Sequence, residues 1–217
     1  FVSVSSTGNT SDFGDISASN VARAGYSAND RTRGVFGGGG TPQNTNALHF
    51  ITIQSTGNSI DYGDLTSEPG QYRMGNVAST TRGLLMGLYA PGGDSHANHN
   101  TIEFITIATT GNSQDFGDLT STASNCASSS NSTRAVRLGK WPTNDMIDFV
   151  TIATTGNAVD FGDLASSVYD TTSAANRTRI LQISGNGPIA PVYVTNTITF
   201  IEIATKGDSK DFGDVTQ

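Results

Sequence analysis

Cysteine, lysine and long apolar runs are what this sequence has least of. Among 217 residues Cys126 is the only cysteine, which excludes an intrachain disulfide and any metal site assembled from cysteines. Only three of the twelve Lys and Arg residues are lysines, and with 19 acids the formal charge is −7. Binding nucleic acid by neutralising its phosphates needs clustered Lys and Arg, so nucleic acid is not an expected partner. No apolar run approaches the roughly 18 residues of a membrane-spanning helix, so no membrane span is expected. No signal peptide is evident at the start, and because residue 1 is Phe rather than Met the chain reads as a processed or partial form of something longer. The hydrophobic content of 35% is low. What the chain has in quantity is Gly, Ser, Thr and Asn, a composition suited to many short strands joined by tight turns, hence to an all-β fold.

One motif occurs five times: "VSVSSTGNTSDFGDI" from Val2, "ITIQSTGNSIDYGDL" from Ile51, "ITIATTGNSQDFGDL" from Ile105, "TIATTGNAVDFGDL" from Thr151 and "IEIATKGDSKDFGDV" from Ile201. The aromatics that open the copies, Phe1, Phe50, Phe104, Phe149 and Phe200, are 49, 54, 45 and 51 residues apart. A second marker, Thr-Arg, alternates with the first at Arg33, Arg82, Arg134 and Arg179. From each Phe to the next of these arginines the interval is 32, 32, 30 and 30, whereas from arginine to Phe it is 17, 22, 15 and 21. The variable part contains "GGGGTPQNTN", "YAPGGDSHANHN", "GKWPTND" and "SGNGPIAPVYVTN", and clusters of Gly, Pro and Asn that absorb length changes are loops.

Four strands fit each unit. The first is made of small and polar residues, as in "ARAGYSA" and "NCASSS"; the second follows Thr-Arg, as in "RGLLMGL"; the third is of the "EFITIA" type; the fourth is the short "DFGDL" segment beyond the turn "TTGN". In the third, Phe104, Thr106 and Ala108 fall on one face and Ile105 and Ile107 on the other. Repeats of four antiparallel strands predict a β-propeller, with small residues such as Gly25, Ser27, Ala78 and Ser128 crowded toward the axis. The rival, a solenoid β-helix, usually needs only about half this repeat length. The units divide as a half blade at 1–18 and blades at 19–67, 68–121, 122–166 and 167–217. Four full blades plus an N-terminal half blade suggest a five-bladed ring. Three readings of the half blade stay open: a longer parent chain, a ring with one thin blade, or completion by strands of another subunit.

The order of a Thr-Arg strand ending in Gly-Gly, a "DFVTI" strand and a short aromatic strand resembles a kelch repeat over the whole chain. The wording "TRG…GG…TI.TTGN..DFGDL" is most similar to kelch-like repeats encoded by tailed phages, especially aquatic ones. The chain departs from the cellular pattern. The double Gly is clear at Gly37-Gly38, displaced at Gly92-Gly93 and reduced to Gly139 and to Gly185 through Gly187 later on, and Phe13, Tyr62, Phe116, Phe161 and Phe212 stand where cellular kelch blades carry Trp. The resemblance implies a virion or extracellular setting, and the departures weaken transfer of cellular kelch functions.

The tripeptide Asp160-Phe161-Gly162 is the magnesium-binding signature of protein kinases, yet the chain has no "HRD" and no "VAIK" strand, and kinase chemistry needs those parts together. Calcium is the cofactor the motif brings to mind, since Asn112, Asp115 and Asp118 lie close in sequence, but the spacing is not that of an EF-hand loop. No cofactor is expected. The structural reading is stronger: Asp15, Asp64, Asp118 and Asp163 precede Arg33, Arg82, Arg134 and Arg179 by 18, 18, 16 and 16 residues. That register predicts an Asp to Arg ion pair, or an Asp-capped turn, fixing each blade to the next.

Binding candidates are the aromatics and histidines of the variable loops: Tyr89, Trp141 and Tyr193, suited to sugar stacking or protein contact, with His96 and His99 in a loop expected to be solvated. His49 falls outside the motif, no "GxSxG" elbow is present, and no catalytic residue is assigned. The three glycosylation sequons, at Asn9, Asn131 and Asn176, are what chance gives in such a composition. The expected function is a non-enzymatic structural or adhesive module binding a host-surface glycan or neighbouring subunits of its assembly. The alternatives are a glycan-active hydrolase or lyase, which would need two acids such as Glu68, Asp94, Glu103 or Asp145 to converge, and a filament subunit completed by strand exchange.

Overall fold

A computed structural model describes residues 1, 2, 5, 7–16, 25–39, 45–66, 75–90, 97–142, 144–187 and 194–216; for 89, 90, 97 and 98 it describes the backbone only. Its regular structure, among these residues, is sixteen strands and no helix. They form four antiparallel four-stranded sheets, each a meander in chain order. Sheet one comprises β1 (Tyr26–Asn29), β2 (Arg33–Gly37), β3 (Ala47–Thr52) and β4 (Ile60–Asp64). Sheet two comprises β5 (Gly75–Ala78), β6 (Arg82–Ala90), β7 (Ala97–Thr106) and β8 (Gln114–Ala123). Sheet three has β9 (Ala127–Ser130), β10 (Arg134–Lys140), β11 (Asn144–Thr151) and β12 (Val159–Val168), and sheet four β13 (Thr172–Ala175), β14 (Arg179–Asn186), β15 (Val194–Glu202) and β16 (Lys210–Asp214). The arrangement is propeller-like, one sheet per Thr-Arg marker.

Period-two alternation gives every central strand two apolar faces, and the core is divided accordingly. One cluster joins sheet one to sheet two, with Tyr26, Val35, Leu48 and Tyr62 against Leu85, Ile105 and Ile107. The next joins sheets two and three, where Phe104 and Phe116 meet Ala135, Val150 and Ile152. The last joins sheets three and four, with Phe161 and Leu164 against Ile180, Ile201 and Ile203. Phe104 and its neighbour Ile105 thus belong to different clusters, as the alternation requires.

The fourth strand is not the flat short strand that its sequence suggests. In sheet two, Ile102 pairs with Gly117 and the next residue Glu103 with Asp115, so Phe116 is an unpaired extra residue. The same step skips Tyr62, Phe161 and Phe212. Tyr62, Phe116, Phe161 and Phe212 are therefore each the extra residue of a β-bulge, a feature that bends a strand and re-aims its side chain. The glycine that follows takes a φ of 140° to 148° in all five copies, a region nearly closed to other residues. β8 and β12 also run on for ten residues, well past the motif.

The third sheet encloses a charged pair, Arg137 and Asp148, both fully buried, with Nη2 2.7 Å from Oδ2. Arg137 Nε–H donates to Asp148 Oδ1 at 2.7 Å and Nη1–H to the Gly139 carbonyl at 3.1 Å, while the Thr120 hydroxyl donates to Asp148 Oδ2 at 2.6 Å. The corresponding cross-strand pairs elsewhere are Phe36 with His49, Leu85 with Glu103 and Gln182 with Thr199. This position is the least repetitive in the core.

Candidate functional site

Two regions qualify as sites: the junctions where one sheet meets the next, and the polar space onto which the four sheets open. At a junction the bulged strand of one sheet offers its edge to the "TGN" turn of the following sheet. Gly57, Gly111, Gly156 and Gly207 N–H donate to the carbonyls of Phe13, Tyr62, Phe116 and Phe161 at 2.7 to 2.8 Å. Asp15, Asp64 and Asp118 N–H donate to Oδ1 of Asn58, Asn112 and Asn157, and Asp163 N–H to Oδ1 of Asp208, at 2.9 to 3.0 Å. The carbonyls of the same four Asp accept from Ser59, Ser113, Ala158 and Ser209 N–H at 2.7 to 2.9 Å. Three backbone-anchored bonds at each of four junctions cover strand edges that would otherwise stand open.

The Asp and Arg residues singled out by their register do not meet: each Asp binds the turn of the sheet that carries its Arg, while Arg33, Arg82 and Arg134 reach across to the sheet after that. Each Thr-Arg guanidinium lies 4.6 to 4.7 Å over the ring of Phe50, Phe104, Phe149 or Phe200, and each of those rings packs edge-on against the aromatic of its own bulge. Arg33 Nη1–H donates to the Ala108 carbonyl at 2.8 Å, Arg82 to that of Ile152 at 2.9 Å and Arg134 to that of Ile203 at 2.6 Å. The carbonyl at the end of the next third strand takes the place expected for a carboxylate. The salt bridges among the described residues are Arg137 with Asp148 and Arg179 with Glu202, neither of which involves a motif Asp. It is the backbone of Asp15, Asp64, Asp118 and Asp163 that makes the junction bonds. Burial and then the like charges of Asp145, Asp208 and Asp160 push the Asp163 carboxyl above its ordinary range. Asn112, considered as a calcium ligand, spends its Oδ1 on Asp64 N–H. No group of three or more His, Cys, Asp or Glu side chains with a metal-binding arrangement occurs among the described residues.

The second region is an open cavity of about 800 Å³ lined by turns of all four sheets, among them Asn29, Asp30, Arg31, Ser79, Asn131 and Arg177. Its shape follows from a device with no counterpart in the sequence reading. Three residues before each Thr-Arg arginine stands a side-chain acceptor that closes the turn. Asp30 Oδ1 accepts the N–H groups of Thr32 and Arg33, Ser79 Oγ those of Thr81 and Arg82, Asn131 Oδ1 those of Thr133 and Arg134, and Asn176 Oδ1 those of Thr178 and Arg179. These are Asx and Ser turns. Desolvation opposes ionisation of Asp30, but the bonds from Arg33 and Thr32 outweigh it and hold the carboxyl below its ordinary range. The acceptors facing the cavity are thus engaged by their own turns, and Arg31 and Arg177 bring cationic charge to its lining. The fixed offset from arginine was the available signal; because four copies use Asp, Ser, Asn and Asn, an identity search passes over it.

Of the loop candidates, Trp141 is placed most clearly. It follows β10, is 46% exposed, donates its backbone N–H to the Ser124 carbonyl at 2.8 Å, and meets the Tyr169 ring edge-on at 4.8 Å. Tyr89 lies within β6 rather than in a loop, opposite Asn98. His99 is likewise a strand residue, half-buried between Leu88 and Ala123, which corrects the expectation of a solvated loop. The hydrogen-bonded ladder of β6 and β7 continues to Ala90 and Ala97 and takes both residues with it. His96 and Tyr193 lie outside the described residues, as do Glu68 and Asp94. Glu103 is buried in sheet two, accepting from the Ser113 hydroxyl at 2.5 Å and Thr66 N–H at 3.2 Å, and neither it nor Asp145 lines the cavity. Among the described residues no helix is long and apolar enough to cross a membrane. Comparison with protein-family models and with curated proteins gives no match.

Proposed function

We propose that this chain is a non-enzymatic structural or adhesive module, a kelch-like β-propeller of a phage virion or another extracellular appendage, that binds a host-surface glycan through its variable loops. The observation that carries this reading is Trp141. A large aromatic 46% exposed, braced by Tyr169 just past the end of β10, offers a flat apolar face of the kind on which sugar rings stack. The repeated junctions support the same reading, because a scaffold that fixes its sheets by backbone bonds leaves loop sequences free to diverge. The setting rests on the resemblance of the repeats, since fold by itself does not specify function.

The test is binding of the purified chain to an array of bacterial-surface glycans, with Trp141→Ala alongside. The expected result is retention on a subset of glycans and a loss of at least tenfold in affinity for the variant, at an unchanged melting temperature. Equal binding by the variant would remove Trp141 from the site, and cleavage of a retained glycan would replace the adhesive reading by an enzymatic one.

A further inference from the structure

The four turns that line the open cavity share one plan, and a single position in it has no part in holding the turn. Each runs acceptor, variable residue, Thr, Arg: Asp30 to Arg33, Ser79 to Arg82, Asn131 to Arg134 and Asn176 to Arg179. The acceptor closes the turn on the backbone of Thr and Arg, and the arginine lays its guanidinium over a ring. The variable position holds Arg31, Thr80, Ser132 and Arg177, all four in the cavity lining. Neither Arg31 nor Arg177 donates a side-chain hydrogen bond or forms an ion pair among the described residues.

Charge and chemistry set this lining apart from the rest of the chain. The sequence carries −7 overall, yet the cavity has two arginines against one acid, Asp30, whose Oδ1 already accepts from Thr32 and Arg33. Two further lining residues, Asn76 of β5 and Ser128 of β9, each hold a buried side-chain oxygen with no hydrogen-bond partner among the described residues. Buried polar groups are nearly always paired, so these two lack a partner that the chain does not supply. The apolar part of the lining is small, Val77, Ala78 and Ala175, and no aromatic belongs to it. The volume, about 800 Å³, falls in the range of roughly 300–1,000 Å³ usual for small-molecule sites.

We infer that this cavity binds an acidic saccharide, with its carboxylates on Arg31 and Arg177 and its hydroxyls on the Ser, Thr and Asn side chains of the lining. A guanidinium matches a carboxylate in a two-pronged geometry. Because the two arginines stand on different sheets, a short oligomer of acidic sugars can give each its own carboxylate. The site goes beyond the glycan reading and is separate from Trp141. Connections of an antiparallel meander alternate between its two ends: the cavity turns join first strands to second strands, whereas Trp141 lies between β10 and β11, a second and a third.

Calorimetric titration of the full chain with trigalacturonate, beside neutral maltotriose, tests the inference. The acidic sugar alone is expected to bind, less tightly as salt is added, and the double variant Arg31→Ala/Arg177→Ala is expected to lose about tenfold or more in affinity. Both arginines are exposed, so this variant should keep the parental melting temperature. Trp141→Ala should bind trigalacturonate as the parent does, so the two sites succeed or fail independently. No binding of trigalacturonate at low salt, equal affinity of the alanine variant, or maltotriose bound as tightly overturns the inference. So does displacement of trigalacturonate by an equal concentration of inorganic sulfate, which would make the cavity a site for a bare anion.

Discussion

The third and fourth sheets carry nearly the same motif, Asp160-Phe161-Gly162-Asp163 and Asp211-Phe212-Gly213-Asp214, and the same bulge, yet they differ in almost everything that stabilises them. Phe161 is 2% exposed and Phe212 55%. Arg134 reaches into the following sheet, while Arg179 folds back on Glu202 of its own sheet in a pair whose side chains remain 48% and 38% exposed. The first strand shows the same contrast, since Ala127 of β9 is buried whereas Thr172, Ala174 and Ala175 of β13 are exposed. Local sequence sets the bulge and the aim of the aromatic. The neighbouring sheet decides whether that aim buries anything.

The largest expected effect tests the cores of these two sheets. Arg137→Met leaves Asp148 buried without its cation and is expected to cost about 3–5 kcal/mol, the usual consequence of breaking a buried pair from one side. The equivalent change in sheet four, Gln182→Met, strands no charge: it takes the acceptor from the Thr199 hydroxyl, 3.1 Å away, and the amide donor from Thr171 Oγ1 and the Ser184 carbonyl, and should cost about 1–3 kcal/mol. Urea unfolding of both variants checks the order, and equal losses would mean that the charged pair is not what distinguishes sheet three. Next come the aromatics. Phe161→Ala is expected to lose about 3–5 kcal/mol, against less than about 0.5 kcal/mol for the exposed Phe212→Ala.

A smaller difference isolates the junction itself. Gly117 and Gly213 have φ of 142° and 141°, so alanine is strained at either by about 1–3 kcal/mol. Only at Gly117 does the new Cβ also meet the backbone of Gly156, at 2.6 Å. Gly117→Ala should therefore melt below Gly213→Ala, and coincident melting curves would show that the glycine serves the bulge alone.

The same contrast explains what was legible in the sequence. Strand positions were, because Phe104, Ile105 and Ile107 alternate between faces and the Thr-Arg and "TGN" markers recur at fixed offsets. The bulge was not, since a four-residue motif reads as a plain strand until its partner Ile102 is seen to skip Phe116. The constant Asp to Arg interval was real, but it does not specify which atom receives the guanidinium. A carbonyl such as that of Ile152 is invisible in a residue alphabet, whereas an Asp is conspicuous. Arg137 and Asp148 were passed over because they belong to no repeat. Trp141 stood out as the one tryptophan, and its brace, Tyr169, lies far along the chain.

The subtlest difference concerns charge at the junction between sheets three and four. Its turn has Asp208 where the other turns have Asn9, Asn58, Asn112 and Asn157, so Asp163 N–H donates to a carboxylate there. Asp163 itself contributes its backbone to the junction, while its carboxyl is pushed up by desolvation and by the charges of Asp145, Asp208 and Asp160. An acid whose folded-state value lies above its unfolded one destabilises the fold when ionised. The penalty is absent below the unfolded value, grows as pH rises through the window between the two, and is complete above the folded value. Asp163→Asn keeps the backbone bonds and removes the charge. The variant is expected to match the parent in acid and to melt slightly higher at neutral pH, with added salt shrinking the gap as surface charges are screened. Melting temperatures between pH 3 and pH 8 check it. A variant that melts lower at neutral pH would show the Asp163 carboxylate to be a bonded member of the junction, as its register with Arg179 first suggested.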